Sequence, residues 1–200
     1  MAGIIARYPF GGVTWCTLMY LLGLRALGHE VFYIEDTGEC IYDPIANSIS
    51  TDSSFGCNYI HNALSAFDLG NRWSFVDYAG NYFGQKKEQV QDFCRDADLY
   101  LNLSGGSWFW RDEYTRIPRK AFIDTDPVFT QLAIAKAEPW YVDSKDRATC
   151  SCSSQRSVWR SPRKMWSRSR SWLNRQRCSC ISRIPASALI RMSDSMLGVH

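Results

Sequence analysis

The chain has 200 residues, 46% of them hydrophobic and 14% aromatic, with a formal net charge of +3. That is enough chain for one good-sized core, and too apolar and aromatic a composition for a disordered polymer. The mild net charge conceals a break, because residues 1–143 hold 11 Lys/Arg against 18 Asp/Glu (net −7) and residues 144–200 hold 12 against 2 (net +10).

No basic, apolar leader opens the sequence, and the most apolar run, residues 13–24, is 12 residues long, where a membrane span needs about 20. A cytoplasmic protein without a membrane span is expected. Cys16, Cys40, Cys57 and Cys94 are scattered and read as reduced, partly buried thiols rather than a disulfide scaffold.

In chain order, residues 2–8 (AGIIARY) form a short apolar run suited to a buried first strand. Pro9-Phe10-Gly11-Gly12 breaks it, and Thr14 stands ready to cap a helix over residues 15–27 that is apolar on most faces. Gly28 falls where the helix end wants a left-handed residue. Residues 31–35 then give a second strand, so the first 35 residues make a βαβ unit with parallel strands and a right-handed crossover. Residues 37–54 are turn-rich and read as a surface excursion. Residues 58–67 suit a short helix, and residues 73–77 and 82–83 flank a turn as a small hairpin. Val90, Phe93, Cys94 and Ala97 recur at i, i+3, i+4 and i+7, the stripe of an amphipathic helix. Residues 99–103 and 120–124 are strands, Pro127 opens a helix over residues 129–137, and residues 140–142 begin a further strand. Repeated strand–loop–helix units predict an α/β fold, an incomplete Rossmann-like parallel sheet with helices on both faces, over residues 1–143.

Three loops carry candidate ligand-binding residues. Gly11, Gly12 and Thr14 lie at a helix N-terminus, where backbone N–H groups and the helix dipole favour an anion or polar group, although a tight turn under the sheet accounts for them equally. The spacing is neither G-x-G-x-x-G nor a phosphate-binding P-loop. Glu35-Asp36 ends the second strand, where a dinucleotide fold keeps its ribose-binding acid, and Glu35 is the candidate. The run Ser104-Gly105-Gly106-Ser107-Trp108-Phe109-Trp110-Arg111-Asp112-Glu113 leaves the carboxyl end of a strand, the edge at which open α/β sheets bind ligands. Gly105, Gly106 and Trp108 are its candidates, since aromatic faces beside Arg and carboxylates suit sugar rings, and an aromatic plug is the alternative. Asp124 and Asp126 end another strand, where a carboxylate pair can hold a divalent cation or act as base, while Asp126 before Pro127 equally suits a helix cap. His29 and His61 read as non-catalytic. No metal site and no cofactor are assigned.

From residue 144 the pattern changes to 14 Ser in 57 residues, with Trp159, Trp166, Trp172 and two Cys-Ser-Cys triplets. One reading is a disordered basic tail that binds RNA through Arg and Trp. A zinc site is a second, but zinc-binding cysteines are usually spaced C-x₂₋₄-C. The third, which we prefer, is a segment read out of frame: with suitable codons residues 148–156 let the neighbouring frame read His-Leu-Phe-Met-Phe-Val-Ala-Thr, a buried strand.

Residues 1–143 resemble bacterial GT-B-type glycosyltransferase-like proteins, through GGVTWCTLMYLLGLRALGHEVFYIEDTGECIYDP, DADLYLNLSGGSWFWRDEY and RIPRKAFIDTDPVFTQLAIAKAEPWY. The first stretch is the most specific, pairing a Gly-Gly loop, a helix ending in LGHEV and an acidic strand end. The resemblance implies two Rossmann-like domains across a cleft and sugar transfer from a nucleotide donor, usually without an essential metal. In such a protein the N-terminal domain mainly receives the acceptor and the C-terminal domain mainly holds the nucleotide sugar. It puts Gly11, Gly12, Thr14, Gly105, Gly106 and Trp108 at the cleft border, with Asp124 and Asp126 looking into it. Residues 144–200 show nothing of a second domain, so the expectation is a truncated family member without the donor site and inactive alone. A non-catalytic glycan- or protein-binding module is the alternative, and nucleic acid the least favoured partner. The DNA after codon 143 checks the frame: an apolar, in-pattern continuation one base away is expected, and its absence would leave the basic tail as the real product.

Overall fold

Ala2 is fully buried and forms parallel bridges on both sides, to Ile34 and to Asn102. The computed structural model describes residues 1–107, 109, 111–125, 132, 133, 135, 136 and 150–153, all within the unit Met1–Gln155. The fold is mixed α/β. Its elements are α1 (Gly11–Ala26), β1 (Tyr33–Glu35), β2 (Ile41–Asp43), β3 (Ser48–Ser50), α2 (Ser54–Ser65), β4 (Trp73–Val76), β5 (Tyr82–Gly84), α3 (Lys87–Asp96), β6 (Leu99–Leu103), α4 (Asp112–Thr115), β7 (Arg119–Asp124) and β8 (Cys150–Ser153). β1 and β4 pair in parallel and β5 returns antiparallel, giving the order β1-β4-β5; β6, β7 and β8 pair in parallel in that order. β2 and β3 form a separate antiparallel pair.

Local chemistry explains the boundaries. α1 begins at Gly11 with Phe10 as its N-cap, rather than at Thr14. The Thr14 hydroxyl instead donates to Phe10 O, 3.0 Å away and one turn back, so it sits inside the helix as a β-branched residue commonly does. At the other end the Gly28 N–H donates to Arg25 O (2.9 Å) and the His29 N–H to Leu24 O (3.1 Å), with Gly28 at φ +86°. That is a Schellman ending, and the positive φ explains the glycine. The turn between β4 and β5 is organised by Asp77, whose carboxylate accepts from the N–H groups of Ala79 (2.9 Å) and Asn81 (2.8 Å) and from the Asn81 side chain (2.9 Å).

Two apolar clusters pack helices against strands. Leu18 and Leu21 of α1 and Ile60 and Leu64 of α2 pack with Tyr33, Trp73 and Phe75. Val90 of α3 and Tyr114 of α4 pack with Ala2, Phe32, Ile34 and Tyr100, and Phe93, Cys94 and Ala97 join them. Successive residues of β1 therefore serve opposite clusters, as the two-residue repeat of a strand requires. The helical stripe expected from Val90 to Ala97 is the one that packs. A third cluster joins Leu101, Leu103 and Ile123, with Cys16 and Tyr20 of α1 against it. The far side of α1 is less covered: Trp15 is 45% and Met19 40% exposed.

Three local expectations change. The first strand shrinks to Ala2 and its two bridges, because residues 5–8 turn back at once, with the Tyr8 N–H donating to Ile4 O at 3.0 Å. The excursion at residues 37–54 contains the β2–β3 hairpin. Beyond residue 143, β8 continues the sheet beside β7, with Ala121 opposite Cys150 and Asp124 opposite Ser153. A strand pairs through backbone groups that any sequence but proline supplies. The strand expected at residues 140–142 lies outside the described residues. So does most of the helix at 129–137, of which the Lys136 N–H to Leu132 O bond (3.0 Å) is described.

Candidate functional site

The carboxyl ends of β1, β6 and β7 meet around residues 104–107. Ser104 lies at φ +55° and Gly105 at φ +72°, so the chain reverses directly after β6. The Ser104 N–H donates to Ile123 O (2.8 Å), and its hydroxyl bonds that of Thr125, next to Asp124. Ser107 forms a parallel bridge with Asp36, while the Asn102 side chain donates to Ser107 O (3.0 Å) and accepts from its N–H (3.3 Å). Gly106 rests directly on Gly3: a Cβ there would lie 2.5–2.6 Å from Gly3 backbone atoms. Two chain segments touch backbone to backbone at this point, which only glycine allows.

Glu35 is fully buried on the α1 side of the sheet. One carboxylate oxygen accepts from the Ala6 N–H (2.7 Å) and the Tyr33 hydroxyl (2.7 Å), the other from the Arg7 N–H (2.7 Å). The Ile5 N–H in turn donates to the Tyr33 hydroxyl at 2.9 Å. Three successive backbone N–H groups, the concavity that often cradles an anion, are thus filled by a carboxylate and a phenol of the same chain. Burial pushes the Glu35 carboxyl up to about 7, against the lowering effect of these hydrogen bonds and of Arg7.

Asp36, the next residue, is equally buried and faces the other way. Arg111 clasps it with Nε to Oδ2 at 2.6 Å and Nη2 to Oδ1 at 3.0 Å, and the Tyr114 hydroxyl donates to Oδ2 at 3.0 Å. The hydrogen bond to Asp36 holds the Arg111 guanidinium in its charged form, above its ordinary value. The guanidinium lies 5.9 Å from the Tyr82 ring and 5.7 Å from that of Phe109, and the Phe109 ring occupies the space a side chain at Gly38 would take.

Gly11, Gly12 and Thr14 occupy a different neighbourhood. The first two are exposed, with nothing within 4 Å of a Cβ position, at a helix start that has no side-chain cap and no acidic residue in its first turn. Thr14 is buried, and its hydroxyl bonds the Tyr59 hydroxyl at 3.0 Å. Gly105, Gly106 and Asp124 come together at the strand ends; Trp108 and Asp126 lie outside the described residues. No group of three or more His, Cys, Asp or Glu suited to a metal exists among the described residues. Cys16, Cys40, Cys57 and Cys94 are free thiols, and burial raises Cys57 to about 12 and Cys94 to about 11, so neither is a thiolate nucleophile at neutral pH.

Asp36, Arg111 and Tyr114 were not singled out from the sequence as one unit. The motif SGGSWFWRDEY holds two of them, but only the fold brings residue 36 to residue 111.

A carboxyl whose folded pKa lies above its unfolded value binds more protons folded than unfolded between the two, so its stabilisation falls as pH rises through that window. For Glu35 the window runs from 4.5 to about 7, equivalent to roughly 3 kcal/mol. Urea unfolding at pH 5 and pH 8 is expected to show wild type losing stability relative to Glu35→Gln over that rise. Taken as this difference, contributions of other groups such as the buried Met1 amine cancel. A difference independent of pH would contradict the assignment.

Comparison with protein-family models, with curated proteins and with solved structures gives no match in any of the three.

Proposed function

We propose that this chain is a Rossmann-like, acceptor-side half of a GT-B-type glycosyltransferase-like protein, and that the 200-residue polypeptide binds at its strand-end crevice without transferring sugar. The observation that carries this reading is the double bridge of Ala2 to Ile34 and Asn102. It aligns the parallel strands as β4, β1, Ala2, β6, β7, β8. Counted along the chain that order is 3-2-1-4-5-6, in which ligands bind where the order reverses. Here the reversal lies between Ala2 and β6, the place where residues 3 and 104–107 meet. α1 and α2 packing with Tyr33, and α3 and α4 with Ile34, support helices on both faces. No helix among the described residues is long and apolar enough to cross a membrane, which accords with a cytoplasmic setting. The sugar-nucleotide chemistry rests on the sequence resemblance alone.

A panel of UDP-, GDP- and ADP-sugars, with mono- and oligosaccharides as acceptors, tests the reading. Expected are saturable saccharide binding in ligand-observed NMR and no nucleotide release above the protein-free rate. Clear turnover would overturn the non-transferring part, and absence of any saccharide or nucleotide-sugar binding would overturn the site. Single-stranded RNA belongs in the same series, because the +10 of residues 144–200 offers the competing class. Binding that falls steeply with salt and is lost on deleting those residues would favour it.

A further inference from the structure

We propose that the groove between α3 and α4 is a binding site for an oxyanion, a phosphate or carboxylate group on a small polar ligand, with Arg111 as its fixed anchor. This groove is separate from the crevice at residues 3 and 104–107. Its volume is about 430 Å³, within the range of roughly 300–1,000 Å³ that small-molecule sites occupy. Lys87, Arg95, Arg111 and Arg116 line it, with the carboxylates Asp112 and Glu113.

The balance of charge decides what it holds. Asp112 and Glu113 open the single turn of α4. Glu113 also accepts from the Tyr82 hydroxyl at 3.3 Å. Glu113 therefore has a structural partner of its own. Of the cations, Arg95 pairs with Asp92 at 2.8 Å, while Lys87 and Arg116 form no ion pair among the described residues. Arg111 is paired as well, but asymmetrically: Asp36 is fully buried behind it, whereas the Arg111 side chain is 30% exposed. The pair presents its positive end to the groove.

Arg111 also has donors to spare. A guanidinium carries five N–H groups in a fixed fork, and Asp36 engages it through Nε and Nη2. With Tyr82 and Phe109 against it, the side chain is held before any ligand arrives, so an incoming phosphate or carboxylate does not have to order it. A planar, held guanidinium flanked by Lys87 and Arg116, which form no ion pair among the described residues, is the arrangement that selects a bidentate oxyanion.

Calorimetric titration of the full 200-residue chain with inorganic phosphate, with glucuronate and with neutral glucose tests this. Saturable, salt-sensitive binding of at least one anion, and none of glucose, is expected. Arg111→Gln strands the Asp36 charge and risks unfolding, so the deciding variant is Lys87→Gln/Arg116→Gln, whose residues lie on the groove walls. It should keep the wild-type Tm without ligand and bind the anion at least tenfold more weakly. Co-sedimentation with phosphatidylglycerol vesicles separates a lipid headgroup from a free ligand: vesicle binding lost in the double variant supports the site with lipid as the source. Absence of saturable binding in every arm, or equal binding by wild type and double variant, would overturn the proposal.

Discussion

The fold depends on the backbone bonds of its first three residues. Ala2 N–H donates to Leu101 O (2.8 Å) and Ala2 O accepts from the Leu103 N–H (3.1 Å), while on the other side the Gly3 N–H donates to Ile34 O (3.2 Å) and Met1 O accepts from the Ile34 N–H (2.9 Å). Without these bonds the strands form two separate three-stranded groups. Small sheets of that size are marginal unless a face is covered, and here the cluster of Ala2, Ile34 and Tyr100 spans the joint. The joint is also narrow. Since the first strand ends at once, the loop after β6 folds over it and bridges to β1, which is why glycines face each other at positions 3 and 106.

The two acids that end β1 divide the work of fixing what surrounds that joint. Adjacent residues of an extended chain point to opposite faces, so Glu35 holds residues 5–7 on the α1 side and Asp36 holds Arg111 and Tyr114 on the α3–α4 side. Both carboxylates are removed from water, and each is supported differently. Glu35 is met by neutral donors, and burial raises its pKa. Asp36 is met by a guanidinium, the partner that makes a buried charge tolerable. A carboxylate that would face a ribose in a dinucleotide-binding fold is in this chain turned inward to close its own loop.

Much of the fold was legible from pattern. The strand at Leu99–Leu103, the stripe from Val90 to Ala97, the hairpin around Asp77 and the glycine ending α1 all rest on local rules of period or turn chemistry, and each stands within a few residues of its expected place. The misjudged features depend on partners far along the chain. Residues 2–8 read as a strand because they are apolar, yet apolarity does not distinguish a strand from a buried turn whose N–H groups are taken by Glu35. Thr14 reads as a cap by residue type, while the helix starts at Gly11 with Phe10 as its N-cap, and the Thr14 hydroxyl is spent on Phe10 O inside the first turn. The candidate site was half legible: glycines after β6 signal a tight approach, but the pairing of Asp36 with Arg111, 75 residues away, has no local signature.

Native-state hydrogen exchange on the N–H groups of Ala2, Gly3, Ile34 and Leu103 tests the central claim most directly. If the first residues join the two halves of the sheet, these four amides exchange among the slowest in the protein and only on global unfolding. Exchange of all four faster than the amides within α3, with β4 and β7 still protected, would show that each half stands without the joint and would contradict the account.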